Sequence, residues 1–87
     1  MTVDKIPDDE LVRRLRDCPP YGTWWSYYQH PDDIYMVQGS AILEATQEPV
    51  VLHGIPSTGI LYARPLKEWS EEVLWNGEMV KRFTRVG

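Results

Sequence analysis

Residues 34–46 read IYMVQGSAILEAT, and their period of two decides the fold. One parity carries Tyr35, Val37, Gly39, Ala41, Leu43 and Ala45; the other carries Ile34, Met36, Gln38, Ser40, Ile42 and Glu44. The first set reads as the core face of one long strand. Gly39 in its middle predicts a bulge or a sharp bend, the device by which small barrels turn a corner.

Working outward, residues 23–28 (TWWSYY) form a strand, and residues 30–33 (HPDD) a turn rich in residues that favour turn geometry. VVLHGI (50–55) is a third strand, PSTG (56–59) a turn, and ILYAR (60–64) a fourth strand that Pro65 ends. Leu66, Trp69 and Val73 recur at helical spacing and predict a short helical turn near 66–73. Asn76-Gly77 supplies the two left-handed residues of a type I′ hairpin, and RFTRV (82–86) is a last short strand. At the other end, residues 7–17 (PDDELVRRLRD) form a helix. Pro7 takes its first position, acidic residues its start, arginines its end, and Leu11, Leu15 and Cys18 one apolar stripe. Cys18 and two prolines then stop it.

The whole is mainly β: an SH3-like curved sheet or barrel of about five strands, with the helix packed outside it. Its 87 residues form one domain, an N-terminal helical extension over 1–21 and the β domain over 22–87. So small a chain buries only about 60–65% of its unfolded surface, so large side chains must supply much of the stability. Four Trp and five Tyr are present to do so.

Composition narrows the function. The lone cysteine excludes an intrachain disulfide framework and a cysteine-cluster zinc site. No basic start leads into an apolar run and no stretch is long enough to span a membrane, so a reducing, cytoplasmic setting without membrane contact is expected. Net charge is −4, and no Lys or Arg lies between Arg16 and Arg64. A nucleic-acid partner needs a basic stripe, and the aromatic run sits in the least basic part of the chain. Nucleic acid is therefore not an expected partner.

From Gly22 onward the residues resemble a family of small bacterial proteins known as domain of unknown function 1653. The resemblance covers roughly residues 22–84. It rests on Trp25 and Tyr28, then Tyr35 and Val37, then Ala41 and Thr46, then Glu48 with the Val50-Val51 pair. Tyr62, Arg64, Pro65 and Leu66 follow, then Trp69, Glu72 and Val73, and finally Gly77, Arg82 and Phe83. It implies an SH3-type barrel and no reaction. The chain departs from the family at Leu43, Glu44 and Ala45, where a polar run is usual, and at Ser26, where an arginine is common.

Two readings of the aromatic run stand side by side. Trp25 and Tyr27 share one strand face, and Trp24 and Tyr28 the other, so at least two of the four rings serve packing. The rest either pack against the N-terminal helix or form a surface groove of the kind that takes extended peptides or cationic groups. Arg64 shares a face with Tyr62; it is either in an ion pair with Glu48 or Glu72, stacked on a ring, or an anchor at the groove rim. His30, Asp32, Asp33 and His53 have a spacing a metal could use, but Pro-Asp-Asp is also ordinary turn chemistry. No nucleophile-and-base set or phosphate-binding loop is present, and Cys18 reads as packing.

The expectation is a protein- or peptide-binding module whose surface includes Trp24, Tyr27, Tyr28, Tyr62 and Arg64, with neither metal nor cofactor. A second copy of the chain could equally cover that surface. A small-ligand site for a sugar or cationic metabolite is the first alternative, and a weak hydrolase or metalloenzyme through His30, Asp32 and His53 the second.

Overall fold

A long bent strand organises the computed structural model, which describes residues 5–87; residues 1–4 of the N-terminal extension lie outside the described residues. Helix α1 (Asp8–Leu15) leads into β1 (Trp24–Tyr27), β2 (His30–Leu43) and β3 (Glu48–Gly54). After a single 3-10 turn come β4 (Tyr62–Pro65), α2 (Leu66–Trp69), β5 (Glu72–Trp75), β6 (Glu78–Lys81) and β7 (Phe83–Arg85). Five strands form one antiparallel sheet in the order β4-β3-β2-β1-β7, while β5 and β6 pair apart as a hairpin. The chain is mainly β. The sheet is open, because among the described residues no strand pairs with the outer side of β4 or β7.

Gly39 bends β2 as its position predicts, with φ 151° and a register shift between Val37 and Gly39. The bulge has a consequence for the inward face. Val37 lies opposite His53, but beyond the extra residue Ser40 lies opposite Val51, so the inward parity switches. Leu43, expected in the core, is therefore 44% exposed, and Ala45 is exposed in the turn that follows.

The HPDD turn is also displaced. The chain reverses at Tyr28 and Gln29, and β2 already pairs at His30 with Tyr27. Ser26 then pairs with Ile34, leaving Pro31, Asp32 and Asp33 as extra residues outside the ladder. Turn-forming residues sit there because a looped-out segment needs no donor from proline and no β propensity from aspartate. The later hairpin forms as expected: Asn76 and Gly77 both take positive φ, 52° and 82°.

Val37, Val51, Trp69 and Phe83 make the core, with Cys18, Trp25, Tyr27 and Leu66 packed against it. Trp69 stacks on Phe83 at 3.8 Å and 7°, and Trp25 meets Trp69 edge-on at 5.4 Å. Helix α1 lies against β2 and β3, with Leu11, Leu15 and Cys18 half-buried. The Ile6 N–H donates to Gln47 Oε1 at 2.6 Å and anchors the chain just before α1. The loop into β1 is fixed by a relay in which Trp25 Nε1 donates to Thr23 Oγ1 (2.8 Å) and that hydroxyl to the Pro20 carbonyl (2.7 Å).

Candidate functional site

Side chains of the two edge strands meet across one face of the sheet. Arg64 of β4 places its guanidinium carbon 6.0 Å from the ring centroid of Phe83 in β7, although three strands separate them in the sheet. The sheet is thus curled around its core, with an open seam between β4 and β7. A groove of about 520 Å³ lies along this seam. Every strand of the sheet contributes to it: Tyr27 from β1, His30 and Tyr35 from β2, His53 from β3, Tyr62 and Arg64 from β4, and Phe83 from β7. Glu68 of α2 completes the lining.

The rings form a corner. Tyr35 and Tyr62 stand 6.5 Å apart at 81°, two nearly perpendicular walls. His53 lies behind both, 5.7 Å from Tyr35 and 5.9 Å from Tyr62, and also touches the core at Trp69 (4.9 Å) and Phe83 (5.5 Å). Tyr27 stacks on His30 at 6.3 Å and meets Tyr28 at 4.8 Å with a 56° tilt, and Tyr28 meets Trp75 of the separate hairpin edge-on. Burial first, then the Asp33 carboxylate and the neighbouring Tyr62 and Tyr27, push the Tyr35 phenol up, so its hydroxyl stays a neutral donor.

Arg64 pairs with Glu68, not with Glu48 or Glu72: Nη1 donates to Glu68 Oε1 at 3.0 Å. The pairing follows from Pro65, which ends β4 and starts α2, so that the residue four positions on folds back over the arginine. Glu48 instead meets Lys67 at 3.7 Å. Arg82 ties this corner to β7, donating Nε to the Glu68 carbonyl (2.9 Å) and Nη2 to Glu71 Oε2 (3.2 Å).

His53 is 6% exposed, and its Nδ1–H donates to the Val51 carbonyl at 3.4 Å, which assigns Nε2 as the free acceptor. Burial lowers its pKa from the ordinary 6.5; the Val51 hydrogen bond opposes this with a smaller upward effect, and the Arg64 charge adds a still smaller downward one. The unfolded chain therefore binds the proton more readily than the folded one. Stability is full above about pH 6.5, declines as pH falls through that value, and levels off below the depressed folded pKa. Urea unfolding between pH 7.5 and 5 is expected to show this loss, and His53→Phe to remove most of it. An unchanged slope in that variant would assign the loss to other groups.

Of the residues expected in a site, the structure brings Tyr27, Tyr62 and Arg64 into the groove and sets Tyr28 beside Tyr27. Trp24 does not line it. That residue points to the other side of β1, 37% exposed, where its backbone N–H and carbonyl bond the segment at Val86 and Gly87. Tyr35, Glu68 and Phe83 join the groove unannounced, and His53, weighed only as a metal or catalytic residue, lines it too; only a correct strand pairing could have brought them together. His30 and His53 line the groove without Asp32, and no group of three His, Cys, Asp or Glu among the described residues could hold a metal. Burial and the Asp17 carboxylate push the Cys18 thiol up, away from nucleophilic character. Among the described residues no helix is long and apolar enough to cross a membrane. No family model, curated protein or solved structure matches the chain.

Proposed function

We propose that the protein is a binding module whose seam groove docks an extended segment of a partner protein. One observation carries this reading: among the described residues, 61–64 and 83–85, on the two sides of the groove, make no backbone–backbone hydrogen bond beyond their own strand ladders. An extended chain laid in the groove would gain main-chain hydrogen bonds from a strand edge and side-chain contacts from the rings. Such an edge, with Ile60, Leu61 and Tyr62 each at least half exposed, otherwise invites uncontrolled association. The strong bend at Gly39 and the approach of β4 to β7 support reading the sheet as an SH3-type barrel left open at this seam. Kinship with domain of unknown function 1653 and a cytoplasmic location belong to the same proposal.

Panning a library of random peptides against the intact protein tests it. Selected peptides are expected to lose at least about tenfold in affinity for Tyr27→Ala/Tyr62→Ala, which removes two rings worth about 1 kcal/mol or more each. Circular dichroism must show the variant folded. Peptides that bind the folded double variant unchanged would place docking elsewhere.

A further inference from the structure

Resting on that reading of the groove, we infer that the docked segment carries a lysine or arginine whose cationic head enters the corner between Tyr35 and Tyr62. The corner has the geometry for it. Its walls stand 6.5 Å apart at 81°, edge to face, so a cation seated in the angle they enclose can lie within about 6 Å of both ring centroids, the range over which the ring quadrupole attracts it. Tyr62 is 51% exposed, so this wall is reachable from solvent.

Charge complementarity selects the sign. The looped-out residues of β2 carry Asp32 and Asp33 at the Tyr35 side, and the Asp33 carboxylate acts directly on the Tyr35 phenol. Neither aspartate has an ion-pair partner among the described residues. The cation already in the groove does not oppose this. Arg64 is held by Glu68 at 3.0 Å and sits over Phe83, where its charge acts on His53. An anionic guest would have to displace Glu68 from Arg64 and accept repulsion from Asp33; a cationic guest displaces nothing. The absence of Lys and Arg between Arg16 and Arg64, and the net charge of −4, steer basic segments in the same sense. In a segment paired along β4 side chains alternate, so the basic residue enters the corner while its sequence neighbours point away.

Two synthetic peptides decide the matter. Both are short, acetylated and amidated, built of serine, threonine and valine around one central residue, lysine in one and norleucine in the other. Titrated into the intact protein at moderate salt, the lysine peptide is expected to bind roughly tenfold more tightly. Asp33→Asn is expected to shrink that advantage several-fold, and rising salt to do the same. Equal affinity of the two peptides, with both weakened by Tyr62→Leu, would overturn the cation assignment and leave the groove reading standing. Binding of neither peptide would overturn both. So would a concentration-dependent dimer whose β4 amides are already protected without peptide, since the edge would then belong to a second copy.

Discussion

Replacing Trp69 by alanine is expected to cost about 3–5 kcal/mol, the range for deleting a buried aromatic side chain. Trp69 is 4% exposed and occupies the middle of the core, stacked on Phe83 and meeting both Trp25 and His53 edge-on. Its loss opens a cavity that faces the groove through His53. A domain of this size has roughly 4–13 kcal/mol to lose, so the variant would unfold at far lower urea or temperature. Trp69→Phe separates two contributions. It keeps a stacked ring and removes an indole N–H that has no partner among the described residues, a group whose burial is itself costly. That variant is expected to fall within about 1.5 kcal/mol of wild type. A Trp69→Ala protein as stable as wild type by urea denaturation would contradict the core described above.

The second large effect is at Gly54. A Cβ there would overlap the carbonyl oxygen of Ile60, because the loop after β3 crosses directly over this residue. The atom a Cβ would meet is backbone, so no side chain can simply turn aside. Gly54→Ala is expected to cost roughly 1–3 kcal/mol, the range for overpacking. It must also push the loop outward at Ile60, two residues before Tyr62. The variant is therefore expected to lose peptide affinity more steeply than stability, whereas a purely structural glycine would cost stability alone. Unfolding and peptide titration on the same sample check both. Gly54→Ala with wild-type stability and binding would show that the loop is free to move and does not hold the corner.

Much of the fold was legible because local chemistry and global packing agree. Gly39 announces its bend, Asn76-Gly77 its turn, and Val37 its burial by alternation. Where local signals compete, reading outward from sequence goes astray. Pro31-Asp32-Asp33 looks like the hairpin turn, yet the reversal comes at Tyr28 and Gln29 and the polar run is expelled as a bulge. The bulge at Gly39 was readable, but its switch of parity, which exposes Leu43, depends on the partner strand.

The site was legible in part for a related reason. Tyr62 and Arg64 share a strand face, and Tyr27 lies on the inward parity of β1, so these three could be proposed from spacing alone. Phe83 and His53 are thirty positions apart and meet only because the sheet curls until its edges approach. Trp24 looked like a binding residue by type, and its outward parity sends it to the other side of β1.

In the proposed function the open seam between β4 and β7 is the docking site. Amide chemical shifts and hydrogen exchange of the intact, isotopically labelled protein, with and without the lysine peptide, test it most directly. Docking there is expected to shift Tyr35, Tyr62, Ala63 and Arg64, slow exchange along the free edge of β4, and change little on the separate hairpin. Shifts centred on the exposed Leu74 and Met79 of that hairpin, with the β4 amides unmoved, would contradict it.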